Sequence, residues 1–185
     1  MICLPRSGCL TFNIAKKLVK RQASLEDYRF KSTTPYAAWE IVKLPGILCL
    51  DYVTKLSPLC TSGLASHRGG LSLNSITTMP VWRAEILATH IGRLWLDSVR
   101  TMSDEAAESL MTHQGELFLR GLIKLPLPFF ILLARHLDGS TLRNLMPHPG
   151  GADESLTIRE GDLVLTLRLG LVVDSFRPCL AGISV

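Results

Sequence analysis

The chain has 185 residues, of which 47% are apolar and 19% are charged. This size and composition are typical of one folded domain or one compact repeat array, and they exclude both a multidomain enzyme and a disordered chain. The longest uncharged apolar stretch, residues 125–134, has ten residues with two prolines, so no transmembrane helix is expected.

The N-terminal segment, residues 1–33, carries the positive charge of the chain. It holds seven basic and two acidic residues, whereas residues 34–185 hold thirteen basic and fourteen acidic residues. Most of the chain is therefore near neutral, and we expect no nucleic acid as a partner. We interpret the segment as a divergent cap, because residues 10–13 (Leu-Thr-Phe-Asn) echo residues 71–74 (Leu-Ser-Leu-Asn); a targeting segment or a contact with an anionic surface is the alternative.

An internal repeat with a period of 23 residues covers residues 34–171. Residues 92–97 (Gly-Arg-Leu-Trp-Leu-Asp) align with segments that begin at Gly46, Gly69 and Gly115 and, two periods further on, at Gly161. Five columns of the alignment should be apolar, and 27 of their 30 positions are, where the composition gives about 14 by chance. The chain thus divides into the N-terminal segment 1–33, the repeats 34–171 and a C-terminal tail 172–185.

Each repeat is predicted to contain a short strand and a short helix. Residues 94–96 alternate as in a strand that buries one face, and residues 103–113 carry a helical apolar stripe behind an N-cap at Ser103. The glycine column is expected to end the helices. Two columns are apolar without exception, so Leu96 and Leu110 should be fully buried. The columns are Leu50, Leu73, Leu96, Leu119, Leu142 and Leu165 in the strands, and Ile41, Leu64, Leu87, Leu110, Leu133 and Leu156 in the helices.

Units of this kind bury their apolar faces by stacking on one another. Parallel strands then form one face and helices form the other, so the predicted fold class is an α/β solenoid. The Leu-x-Leu strand at this spacing resembles leucine-rich-repeat proteins, and it is most similar to the Ala-Ala-containing repeats of some bacterial proteins. That family usually has Asn three residues after the second strand leucine. Here the position holds Val53, Ile76 and Val99, so we expect no asparagine ladder.

Four histidines occupy one column of the repeat: His67, His90, His113 and His136. One interpretation is an enzyme or metal-binding protein that uses these stacked rings. The other, which we favour, is that each histidine lies in the last turn of a helix and satisfies late carbonyl groups there, because no cysteine or carboxylate column completes a ligand set. The five cysteines include no Cys-x-x-Cys pair, so we expect no metal or cofactor, reduced thiols and a cytoplasmic location.

The residues beside the strand leucines point towards the open side of the predicted sheet. Trp95 and Phe118 are neighbours in this row with charged residues around them, which is typical of a protein-binding hot spot. No motif of hydrolases, nucleotide-binding proteins or metalloproteases occurs, so the sequence predicts a non-catalytic scaffold that binds another protein. The predicted partner-binding residues are Arg93, Trp95, Asp97, Glu116, Phe118, Arg120 and Arg143.

The C-terminal end of the array is predicted to leave an incompletely covered strand edge. Residues 169–176 stay apolar with little charge, so we expect self-association through this edge, which charged substitutions at Val164 or Leu169 should weaken. The alternative is that the chain is a fragment of a longer array. The apolar segment 126–133 is expected to be buried under residues 147–154 or a terminal segment, with docking of another chain or a membrane as the alternative.

Overall fold

The computed structural model describes residues 7–136 and 155–168. Within them the protein is a mixed α/β structure of short helices and mostly parallel strands. The helices are α1 (Phe12–Arg21), α2 (Pro35–Ile41), α3 (Pro58–Ala65), α4 (Val81–Ala88), α5 (Asp104–Leu110) and α6 (Leu127–His136). The strands are β1 (Ser7–Leu10), β2 (Arg29–Thr33), β3 (Ile47–Cys49), β4 (Gly70–Ser72), β5 (Thr78–Met79), β6 (Leu94–Trp95), β7 (Thr101–Met102), β8 (Gly115–Phe118), β9 (Ser155–Glu160) and β10 (Leu163–Arg168).

The main sheet has six strands in the order β3-β4-β6-β8-β10-β9. Its neighbours are parallel except for β9 and β10, which form an antiparallel hairpin. From β3 to β8 the register follows the sequence period, because Leu48, Leu71, Leu94 and Leu117 are partners on successive strands. The predicted parallel alignment of these leucines is therefore confirmed.

A second set of parallel pairs lies just before the helices. β1 pairs with β2, β5 pairs with β7, and an isolated bridge joins Ser32 to Lys55. Leu10 pairs here with Thr33, so the predicted equivalence of residues 10–13 with residues 71–74 is wrong. Leu71 belongs to the main sheet instead. Strands β5 and β7 have only two residues each, which is too short to carry an alternating pattern, so the sequence did not predict this pair.

Three of the described helices begin at a residue whose side chain caps the helix. The N-cap side chains of α2, α3 and α5 accept a hydrogen bond from the backbone N–H three residues further on, and these caps are Thr34, Ser57 and Ser103. Pro35 and Pro58 occupy first helical positions, where the missing N–H costs no helical hydrogen bond. The cap at Ser103 is thereby confirmed.

The core lies between the main sheet and the helices. Leu96 and Leu110 are both fully buried, as predicted. The other described members of the two unbroken columns are buried as well, with the exception of Leu156, which is half-buried. One hydrophobic cluster contains the strand leucines and the helix stripes together, so the sheet and the helices stabilise each other.

The C-terminal end departs from the predicted repeat. Leu156 lies in β9 rather than in a helix, and Gly161 lies in a hairpin turn rather than at a helix end. Leu165 pairs with Leu117, two residues further along the chain than the period predicts. Strand β10 lies between β8 and β9, so β9 is the edge strand at this end of the main sheet among the described residues. Residues 137–150 and 169–185, which include Leu142, Arg143, Leu169 and the tail, lie outside the described residues.

Helix α6 contains most of the apolar segment for which burial was predicted. Phe129 is fully buried, whereas Leu127 and Ile131 are exposed. Residues 147–154, expected to cover this segment, lie outside the described residues. Among the described helices, none combines the length and the apolar composition needed to cross a bilayer.

Candidate functional site

The outward side of β3, β4, β6, β8 and β10, which we call the strand face, carries the candidate site. Side chains along a strand alternate between the two sides of a sheet. Leu94 and Leu117 point into the core and are fully buried, so Trp95 and Phe118, next to them in β6 and β8, point outward. The period-2 alternation therefore brings these two predicted site residues onto one surface.

Trp95 and Phe118 form a stacked pair at the centre of the strand face. Their ring centroids are 5.3 Å apart and their planes differ by 8°. The indole also lies over Gly70 of β4, where an added Cβ atom would stand 2.7 Å from Trp95 Cζ3. Both rings are only half-buried, so they form a flat apolar area that is held in place and still reachable.

Two ion pairs flank this aromatic stack. Arg93 Nε and Nη2 bind the two carboxylate oxygens of Glu116 at 3.0 and 3.3 Å. Arg120 Nη2 donates to Asp97 Oδ2 at 2.5 Å, and this hydrogen bond raises the pKa of the Arg120 guanidinium. The side chain of Arg93 is 58% exposed and that of Glu116 is 36% exposed. Exposed pairs of this kind contribute only about 0–1 kcal/mol to folding, so they remain free to exchange partners.

A ladder of side-chain to backbone hydrogen bonds runs along the strand face. Asp51 Oδ1 accepts from the N–H of Asn74 at 3.0 Å, and Asn74 Oδ1 accepts from the N–H of Asp97 at 2.9 Å. Asp97 Oδ1 in turn accepts from the N–H of Arg120 at 3.0 Å. Val53, Ile76 and Val99 are buried apolar residues and form no asparagine ladder, as the sequence predicts. The ladder in the structure is a different one, formed by the residues directly after the second strand leucine. Its signal was the recurring Asp or Asn directly after the second strand leucine.

The strand face becomes polar towards β3. Ser72 Oγ donates to Asp51 Oδ1 at 2.5 Å and accepts from Asn74 Nδ2 at 3.0 Å, a cluster that sequence reasoning did not single out. Burial raises the pKa of the neighbouring Cys49 thiol, and the charges of Asp51 and Glu26 raise it further. This thiol is therefore protonated at neutral pH, which is unfavourable for a nucleophile.

The three histidines whose side chains are described are buried and stacked. The ring centroids of His67 and His90 are 6.4 Å apart, and those of His90 and His113 are 6.0 Å apart. His67 Nδ1 lies 3.1 Å from the carbonyl oxygen of Val42, and His67 Nε2 lies 2.9 Å from that of Gly46. Both ring nitrogens of His67 thus face backbone carbonyl groups, and neither points towards a common metal site between the rings.

These carbonyl groups belong to the preceding repeat and not to the helix of the same histidine. His90 Nδ1 lies 3.3 Å from the carbonyl oxygen of Ala65, and His113 Nε2 lies 3.0 Å from that of Gly92. His90 thus contacts a late helical carbonyl group, as predicted, because Ala65 is the last residue of α3, but this helix precedes its own. Burial lowers the pKa of His90 and of His113, which makes both rings neutral at pH 7. No group of three or more side chains suited to metal binding occurs among the residues that the structure describes.

Six of the seven predicted partner-binding residues lie together on the strand face. Four of them come from β6, β8 and the residue before β6, while Asp97 and Arg120 each lie two residues after the end of one of these strands. The seventh, Arg143, and the side chain of His136 lie outside what the structure describes. No protein-family model, no curated protein and no solved structure matches this chain.

Proposed function

We propose that the protein is a leucine-rich-repeat-like solenoid that acts as a non-catalytic scaffold and binds another protein on its strand face. The observation that carries the proposal is the half-exposed stack of Trp95 and Phe118 between two ion pairs. Aromatic residues and arginines are enriched at the centres of protein interfaces, where they provide most of the binding energy.

The support beneath the stack favours binding over simple burial. The contact of Trp95 with Gly70 and the ladder through Asp97 hold these side chains in one arrangement before a partner arrives. Side chains that are already ordered lose less conformational entropy on association. We therefore expect a partner that offers an apolar anchor for the stack and groups of both charges for Arg93 and Glu116.

The solenoid part of the proposal is supported by the 23-residue register between β3 and β8. Self-association at the C-terminal end stays a prediction, and within the described residues it now concerns the edge strand β9. A cytoplasmic location is also part of the proposal. It is supported by the described cysteines Cys9, Cys49 and Cys60, which are free thiols.

Affinity capture from cell extract, with the full chain as bait, tests the proposal. We expect the wild type to retain a protein that the double variant Trp95→Ala/Phe118→Ala loses, with a drop in affinity of at least about thirtyfold. The matched control is Leu127→Ala/Ile131→Ala, which also removes two exposed apolar side chains but from α6. Equal retention by all three proteins, with unchanged melting temperatures, would contradict binding on the strand face.

A further inference from the structure

Helix α1 presents a group of positive charges on its exposed side. Lys16, Lys17, Lys20 and Arg21, which we call the basic cluster, are all exposed, while Ala15 and Leu18 on the opposite side of α1 are buried. None of the ion pairs found among the described residues involves a member of the basic cluster. The residues up to position 25 include no acidic side chain. These charges are therefore available to an anionic partner.

Exposed aromatic side chains lie beside the basic cluster. Tyr36 is 77% exposed, Trp39 49% and Phe12 42%, and we call these three the aromatic cluster. Helix α1 packs directly on α2, and Lys16 and Trp39 occupy equivalent positions one repeat apart on the two helices. Neighbouring helix axes are separated by about 8–10 Å, so the two clusters form one continuous surface.

The same layer of helices has the opposite character at α5. Its exposed residues include Asp104, Glu105 and Glu108, and its apolar residues Ala106 and Ala107 are buried. The helix side of the molecule therefore runs from basic and aromatic at α1 and α2 to acidic at α5. An anionic surface is attracted to α1 and α2 and repelled by α5, which favours an orientation with α1 and α2 towards that surface.

We propose that the basic and aromatic clusters together dock the protein on the surface of a membrane that contains anionic lipids. Tyr, Trp and Phe are the residues that settle at the headgroup level, and lysines beside them gain from the negative potential of anionic lipids. A protein partner is a poorer fit because lysine is depleted in protein interfaces. A nucleic acid is a poorer fit because the rest of the chain is near neutral. Docking through the helices leaves the strand face, on the other side of the sheet, free.

Cosedimentation of the full chain with vesicles tests this docking. We expect binding to vesicles of phosphatidylcholine mixed with phosphatidylserine, little binding to phosphatidylcholine alone, and weakening by added salt. Each cation near an anionic surface contributes about fivefold to partitioning, so Lys16→Gln/Lys17→Gln/Lys20→Gln should bind roughly a hundredfold more weakly. Trp39→Ala should also weaken binding. In a Trp82→Phe/Trp95→Phe background, the emission of Trp39 should shift to the blue on vesicle binding.

The matched control is Glu105→Gln/Glu108→Gln, which removes charges from exposed positions of α5 and should not weaken vesicle binding. The positions of the three lysines, Trp39, Glu105 and Glu108 are exposed, so circular dichroism and melting temperature should stay unchanged in these variants. The half-buried Trp82 and Trp95 are replaced only in the background used for fluorescence. The proposal is overturned if the triple lysine variant binds like the wild type, or if the wild type sediments with neither vesicle. Binding to an acidic protein or to a nucleic acid in the absence of vesicle binding would likewise overturn it.

Discussion

Strands β3, β4, β6 and β8 belong to the same sheet as the hairpin β9–β10 but follow a different sequence rule. In the first region, partners on successive strands are one 23-residue period apart, as in Leu71 and Leu94. In the second, the chain reverses, so that Leu165 pairs with Leu117 on one side and with Ile158 on the other. A strand of a hairpin and a strand of a repeat both bury alternate residues. The comparison teaches that a column of buried leucines alone does not establish how its strands pair.

Two glycines of the same predicted column show the difference in the backbone. Gly115 has a φ of +145°, and an added Cβ atom would collide with the carbonyl oxygen of Gly92. Gly161 has a φ of +57°, and no heavy atom lies within 4 Å of such a Cβ atom. Glycine is therefore required at 115 by the close approach of the neighbouring strand, and at 161 only by the left-handed turn.

The largest expected effect comes from removing one buried leucine from each region. Leu96 and Leu165 are both fully buried, so replacing either with Ala should lower the free energy of unfolding by about 2–5 kcal/mol. Urea denaturation of the two variants measures this directly. Surface positions show losses in the free energy of unfolding below about 0.5 kcal/mol. Such a small loss for Leu165→Ala, together with a loss of about 2–5 kcal/mol for Leu96→Ala, would show that the hairpin does not bury Leu165 as the repeats bury Leu96.

A smaller effect on the free energy of unfolding is expected from Gly115→Ala and Gly161→Ala, and it should differ between the two sites. The first adds a collision to an unfavourable φ and should cost about 2–4 kcal/mol, whereas the second should cost about 1 kcal/mol. Asn tolerates a left-handed conformation, so Gly161→Asn should recover part of the loss and Gly115→Asn should not. Thermal denaturation of the four variants measures these losses of stability. Equal losses at both sites would mean that the close approach of the neighbouring strand at Gly115 adds nothing to the requirement for glycine.

The smallest expected effect is a dependence of stability on pH that originates in the repeats. Burial holds the pKa of His90 and of His113 below the ordinary value of 6.5, so the unfolded chain binds more protons than the folded one below that pH. The free energy of unfolding should therefore be highest above pH 6.5, where both histidines are neutral in either state, and should decrease as the pH falls below that value. Residues 155–168 contain no histidine, so the hairpin does not contribute to this effect.

Urea midpoints at about pH 7.5 and about pH 5.5 measure the dependence. The variant His90→Gln/His113→Gln should be less stable than the wild type at the higher pH but should change less between the two. An unaltered pH dependence in this variant would show that other groups are responsible.

The sequence predicted the candidate site in part. Because Trp95 and Phe118 are one period apart and follow buried leucines, their common face could be read from the spacing alone. The stacking of the indole over Gly70 could not, because it depends on how close the backbone of β4 lies. Asp97 was predicted as a binding residue on its charge, but its hydrogen bond to the N–H of Arg120 depends on the separation of successive strands.

By itself the sequence determined the repeat period, the helix caps and the buried leucines, because each depends on residues within one unit and on whether they avoid water. Only the tertiary structure decided the hairpin at Gly161, the carbonyl partners of the histidines and the ladder that begins at Asp51. Each of these depends on which backbone groups of a neighbouring unit come within hydrogen-bonding distance. Backbone N–H and C=O groups are alike in every residue, so no pattern of side chains specifies their partners until the strands have paired.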